Sequence, residues 1–525
     1  MDWRARWALE TTDGDTVADA LGEAPRGRIE GRHRIADLDG VKGLFFNGWN
    51  TCITVPDAPA LACPDGLTLA AWVRADSLSE RDYLVHKHGA YALHLVEYGR
   101  VSFVVWEPSG RPYRVTTRVR LTPNRWHRVA ATFDGRDLIV YLDGRRAAEG
   151  AQAYTGRRTQ VRRTNAPLLI GGMRPDPYAR PMSLFCGAMA DVRLGGRALT
   201  LEEVAADYAQ APAGRVAYPA LTRPHLRKMG TFWHGCESSP FVWQGRLKVL
   251  VNDRGRDESG RLSTRLWIYD MADRTFGPHF GEGCIFPCAY AEGDRTYVYA
   301  VRGGWGGREM VALTSTDLVT WDERTVLTFP HTVFNMSVCR AGERYLMGYD
   351  ICPENNAHDA RTCFAWSEDL VHWQPAPASC TYSLDYYTAA VAIRHAEGWT
   401  YAIQLRSLSD MREFNTYVAR SRDLVTWHGS PLNPLLAWSD EDRKIAPGVH
   451  PSDEERARMD RTLNQNASDL DLCEFEGKTV ITYSWGDQRM PPPERKRRAG
   501  WRMFLAYAVH EGPMSGFLRA YFEPV

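Results

Sequence analysis

The chain has 525 residues, 44% hydrophobic and 24% charged, a globular composition too long for one core and therefore divided into two or more domains. Lys plus Arg equals Asp plus Glu at 64 each, so no global field exists to hold nucleic acid, whereas an acidic polysaccharide would need only a local basic patch. No apolar run reaches membrane-spanning length, and the charged start Met1-Asp2-Trp3-Arg4-Ala5-Arg6 lacks a signal peptide's apolar segment, so the expectation is a cytoplasmic protein, or an exported one whose leader has been removed.

Between about residues 40 and 195, short alternating runs such as Leu69–Val73, Tyr91–Leu95 and Val101–Trp106 are separated by turn residues, the pattern of a β-sandwich. One hairpin is explicit: Leu138–Leu142, then Asp143-Gly144, which supplies the positive φ angles of a tight turn. Three stretches resemble laminin-G-like (concanavalin-type) jelly rolls. They are Leu44–Gly48, Trp126–Gly135 with Tyr141–Gly144, and Phe185–Arg193 followed by Leu199–Glu203. The resemblance implies a jelly-roll domain over residues 1–212 that binds carbohydrate or a structural calcium ion, or that serves only as a packing partner.

From about residue 225 a new signature recurs: Ser315-Thr-Asp317-Leu318-Val-Thr-Trp321, Ser367-Glu-Asp369-Leu370-Val-His-Trp373 and Ser421-Arg-Asp423-Leu424-Val-Thr-Trp427. The spacing of about 50 residues is one four-stranded propeller blade per copy. The aspartate is expected to accept turn amides while Leu and Trp pack between blades. Five hairpins turn at Gly245, Gly293, Gly342, Gly398 and Gly477, which predicts five blades over residues 213–525. The fold class is therefore all-β: an N-terminal jelly-roll sandwich and a C-terminal five-bladed propeller. Before the fifth blade, Ser452-Asp453-Glu454-Glu455 forms a capping box that predicts a helix over Arg456–Leu463, in an insertion expected to roof the axial pocket.

Aligning the hairpins on their glycines places Glu237 of blade 1 and Asp469 of blade 5 at equivalent positions near the axis. Ile285 or Phe286 occupies that place in blade 2, Phe334 or Asn335 in blade 3, and a longer hairpin brings Asp385, Tyr386 and Tyr387 to the rim from blade 4. Converging carboxylates suit glycosidic hydrolysis, in which one acid protonates the leaving oxygen and another activates water or attacks carbon. Alternation puts Asp469 and Asp471 on the funnel side of a strand and Leu470 and Leu472 on the other, with Glu474 in an inter-blade ion pair.

These features are similar to the five-bladed propeller glycoside hydrolases of the arabinanase, β-xylosidase and fructosidase groups. The resemblance implies a carbohydrate substrate and axial carboxylates; the convergence of Glu237, Asp469 and Asp385 on one funnel makes Glu237 the expected base or nucleophile and Asp469 or Asp385 the expected acid. Glu237-Ser-Ser-Pro240 has that family's spacing to the turn glycine but departs in residue type and proline position, and the family's acids in blades 2 and 3 are missing. The alternatives are a non-catalytic carbohydrate-binding protein and a polysaccharide lyase. Asp471, Asn335, His234 and His331 are candidate ligands for sugar hydroxyls or carboxylates, and Trp233, Trp305, Tyr386 and Tyr387 are candidate stacking platforms. The basic run Glu494–Arg498 is expected to be a solvated loop, or else an anion-binding edge for a uronate. No cofactor is called for. The 11 cysteines read as buried thiols, and Cys284 and Cys288, spaced C-x3-C, lack a second pair to hold zinc.

Overall fold

A computed structural model describes residues 3–147, 152–176, 179–210, 218–256, 262–304, 306–353, 360–382, 388–408, 413–487 and 503–524. The chain divides into two compact units, Met1–Pro219 and Ala220–Val525. No helix among the described residues is long and apolar enough to cross a membrane.

The first unit is a sandwich of a nine-stranded and an eight-stranded antiparallel sheet. Leu67–Ala75 and Cys186–Gly195 lie at the centre of the larger sheet, and Arg81–Lys87 and Leu168–Ile170 at that of the smaller. The inward residues Leu69, Ala71, Val73, Phe103, Val105, Val129 and Ala131 join one apolar core, as period-2 alternation requires. The Asp-Gly hairpin forms as its sequence dictates: Leu142 pairs with Arg145, and Asp143 and Gly144 take φ of 50° and 75°.

Asp143 has a further use that explains the Trp126–Arg128 stretch. Its Oδ1 accepts the Arg128 amide at 2.9 Å while Oδ2 meets His127 Nδ1 at 2.9 Å, tying the hairpin turn to the neighbouring strand. Arg128, fully buried, pairs with Asp207 (Nη2 to Oδ2, 2.6 Å) on the helix Leu201–Gln210. Arg193 bridges Asp207 and Asp191 at 2.6 Å each, so every buried charge here has a partner of opposite sign.

The second unit is a five-bladed propeller. The inner strands are Ser238–Trp243, Cys284–Glu292, Thr332–Ala341, Thr388–Ala396 and Ala467–Phe475. In blades 1 to 4 the strands follow in chain order from axis to rim. Blade 5 is closed differently: its outermost strand is Arg227–His234, from the start of the unit, paired antiparallel with Met503–His510. The first and last strands of the unit thus share one sheet, which closes the ring.

All three turn repeats have the same geometry. In the first, Asp317 Oδ1 accepts the amides of Val319 (2.8 Å) and Thr320 (2.7 Å), and Ser315 Oγ accepts that of Leu318 (2.9 Å). Asp369 and Asp423 repeat this. Leu318, Leu370 and Leu424 take φ of 60°, 66° and 61°, a left-handed conformation uncommon for leucine, and all three are buried. The tryptophans stack on other blade residues: Trp321 lies flat on Phe280 at 4.0 Å and Trp427 on Phe364 at 5.7 Å.

The insertion helix spans Asp453–Arg461, three residues earlier at its start than expected, and Ser452 and Glu455 close the capping box in both directions. Among the described residues, none from this insertion lines the axial cavity. Its preceding segment pairs instead with the outermost strand of blade 5, where Thr231 N donates to Lys444 O at 2.7 Å and Ala446 N to Thr231 O at 2.9 Å. Glu474 accepts the Met514 amide at the start of the final helix rather than pairing with a cation of another blade.

Candidate functional site

The axial end of the inner strands is shaped by β-bulges. The pairing register slips between Ile285 and Cys288, Phe334 and Met336, Ala389 and Ala392, and Ser468 and Asp471, in blades 2 to 5 respectively. A bulge leaves one residue unpaired and re-aims its side chain. Phe286, Asn335 and Asp469 are such residues, with φ of 57°, 41° and 47°. Asn and Asp tolerate this conformation; for Phe286 it is an outlier that its neighbours must hold in place.

Blade 1 has no bulge and reaches the same rim by a crossing. Gly235, at φ 137°, donates to Met503 O on the third strand of blade 5, and Ser484 Oγ on the second strand bonds Cys236 O. Each residue steps one strand inward, so Glu237 arrives at the axis three residues after His234 on the outermost strand.

Glu237, Ser238, Phe286, Cys288, Asn335, Asp469 and Asp471 line one cavity of about 40 Å³, together with Pro287, Met336, Val391 and Leu470. That volume holds a water molecule or two and no sugar ring, so it forms the floor of a site, not the whole of one. Glu237 is 7% exposed, and its Oε2 accepts the Phe286 amide at 3.2 Å. Ser238 Oγ is buried without a hydrogen-bond partner among the described residues. Asp469 is half-buried and accepts Ser468 Oγ at 2.5 Å.

Strict alternation of Asp469 and Asp471 does not survive the bulge, and Leu470 lines the cavity beside them. Asp471 is engaged on both oxygens: Arg394 Nη2 at 2.6 Å on Oδ1 and Ser239 Oγ at 2.5 Å on Oδ2. Ser239 in turn accepts the Ala289 amide at 3.0 Å, so this carboxylate locks blades 4, 5, 1 and 2 together. Cys288 has its thiol pushed up by burial and then by the charge of Asp471, and is a neutral wall group rather than a nucleophile. Cys284 is raised to about 11 by burial, and among the described residues no cluster of His, Cys, Asp and Glu could hold a metal ion.

Alignment on the inner strands alone overlooks the second strands, which bring Asn252, Asp350 and Arg406 to the same end, all buried. Asp350, fully buried opposite Phe334, accepts Thr362 Oγ1 at 2.6 Å, Asn335 Nδ2 at 3.3 Å and the Val391 amide at 3.4 Å. Polar residues recurring seven or eight positions after the turn glycines are the sequence pattern that finds them.

Trp233 and His234 line a second cavity, on the outermost strand of blade 5, and share no wall with Glu237. His331, half-buried, precedes the inner strand of blade 3 and lines neither cavity. Asp385, Tyr386, Tyr387, Trp305 and the basic run Glu494–Arg498 lie outside the described residues.

Residues 47–205 match the model of the concanavalin A-like lectin/glucanases superfamily. No curated protein matches the chain. Among solved structures, the chain is similar to domain 4 of a GH43 extracellular arabinanase from Geobacillus stearothermophilus in complex with arabinotriose (21% identity, 40% of this chain and 98% of that chain, TM-score 0.33). It is also similar to the NanB sialidase of Streptococcus pneumoniae (9%, 85% and 95%, TM-score 0.31) and to the botulinum neurotoxin serotype G binding domain (9%, 84% and 100%, TM-score 0.33). The protein thus carries a concanavalin A-like domain over residues 47–205 and, in its second unit, a five-bladed β-propeller.

Proposed function

We propose that the propeller is a glycoside hydrolase acting on an oligo- or polysaccharide, with Glu237 and Asp469 as its paired carboxyl groups. The observation that supports this most is their presence on one small cavity, reached from neighbouring blades at the axial end of the inner strands. The Phe286 amide orients the Glu237 carboxylate, as a base or nucleophile requires. Asp469, on the bulge of the neighbouring blade, takes the role of acid, and Asp385 is a further acidic candidate for it. The cavity has room for the water that hydrolysis consumes. Asp471, held by Arg394 and Ser239, positions the rim instead of reacting. The match of residues 47–205 to a lectin/glucanase superfamily is in keeping with a glycan as partner.

A second reading, a propeller that binds glycans without cleaving them, is favoured by one observation: the equivalent rim positions of blades 2 and 3 carry Phe286 and Asn335 in place of acids. Screening aryl glycosides and natural polysaccharides for released sugar separates the two. The hydrolase reading expects product from the wild-type protein and almost none from Glu237→Gln. Product formation that survives this change contradicts the assignment, and binding without release favours the second reading.

A further inference from the structure

The second cavity, about 260 Å³, lies between the outermost strand of blade 5, the insertion helix Asp453–Arg461 and the loop before it, and has no residue in common with the axial cavity. We propose that it is a separate binding site for a uronate ring, a six-membered sugar bearing a carboxylate, with Arg458 and Arg274 as its anion-binding groups. Its volume suits one ring.

One wall is aromatic: Trp233 packs on Phe276 with centroids 4.5 Å apart, and Phe504 carries the Arg458 guanidinium 5.2 Å above its ring. These rings give the wall its apolar surface. Among the described lining residues, two guanidiniums face one carboxylate, Glu455. Two guanidiniums exceed the single negative charge of Glu455, whose Oε2 accepts the Ser452 amide at 2.8 Å and hydroxyl at 2.9 Å and whose Oε1 lies 4.0 Å from His234 Nδ1. Arg458 Nε and His234 Nδ1 are both buried with no hydrogen-bond partner among the described residues, a desolvation that a ligand would repay. Gly448, at φ 73°, has no Cβ where the Arg274 guanidinium lies, so the loop is built to receive this side chain.

The polar groups select among anions. A guanidinium binds a carboxylate through charge-assisted hydrogen bonds. Burial, and then the charge of Arg458, push His234 down, so its ring is neutral and offers both a donor and an acceptor. Glu455 and His234 therefore call for a ligand with hydroxyl donors. A uronate has these; benzoate does not, and a neutral hexose leaves the guanidiniums unmatched.

Isothermal titration of the full-length protein with sodium D-glucuronate and with digalacturonate tests the proposal, with glucose and benzoate as controls. Saturable binding of a uronate is expected, weakened about tenfold or more in Arg458→Gln and in Arg274→Ala. Glu237→Gln should bind as the wild type does, so failure of the hydrolase reading leaves this site standing. Arg274 is exposed, and its variant keeps the test valid if Arg458→Gln unfolds. The proposal is overturned by no saturation with either uronate, by glucose or benzoate binding equally well, or by wild-type affinity in both arginine variants.

Discussion

At the blade turns, Asp317, Asp369 and Asp423 each accept two backbone amides through one oxygen, with distances agreeing within 0.1 Å from copy to copy. At the axis, Glu237, Asp469, Asp471 and Asp350 follow no common pattern: each has its own partners, and two of the five blades place Phe286 and Asn335 where the first and last place acids. The same chemical group serves architecture where it repeats. Where the repeat breaks, Asp471 and Asp350 still tie neighbouring blades together, while Glu237 and Asp469 are the pair proposed to react.

This contrast can be broken by exchange of single residues. The largest effect is expected at Asp469: Asp469→Asn should lower turnover on a cognate glycan by about 10²–10⁴-fold, the range for loss of an acid–base group, with little change in thermal stability. Arg394→Met should do the reverse. Leaving Asp471 buried without its cation should destabilise the propeller by about 3–5 kcal/mol, measured by urea unfolding.

A smaller effect separates the turn aspartates by pH. Thr320 and Thr426 amides, with those of Val319 and Val425, hold Asp317 and Asp423 down at about 2, below the ordinary 3.8. A depressed carboxyl contributes stability that is present above its unfolded value and lost as pH falls toward the folded one. Melting temperature should therefore decline between about pH 4 and pH 2, and Asp423→Asn should be less stable at pH 7 and show a shallower decline in that window. The smallest change is expected in Ser238→Ala, since its buried hydroxyl has no partner among the described residues: unchanged melting temperature, with a raised KM if the hydroxyl meets substrate.

The same contrast explains what was legible in the sequence. Asp143-Gly144, the Ser-x-Asp-Leu repeats and the Ser452–Glu455 box are local devices whose hydrogen bonds close within a few residues, so each could be read from its own segment. Five turn glycines likewise gave five blades, and glycine alignment brought Glu237 and Asp469 together. What stayed hidden depends on pairing across the chain. Trp233 and His234 are near Glu237 in sequence, yet they belong to a strand that closes blade 5 from outside, because the chain crosses that blade in three residues. The partner of Asp471, Arg394, lies 77 positions away and only the fold brings it there, and the bulges that turn Phe286, Asn335 and Asp469 leave no mark on hydrophobic alternation.

Glu237 and Asp469 are proposed to divide acid and base work between them. The dependence of kcat/KM on pH for the wild type, Glu237→Gln and Asp469→Asn addresses it most directly. A bell-shaped wild-type profile is expected, losing its acidic limb in Glu237→Gln and its basic limb in Asp469→Asn. A bell that keeps both limbs in both variants would contradict the account.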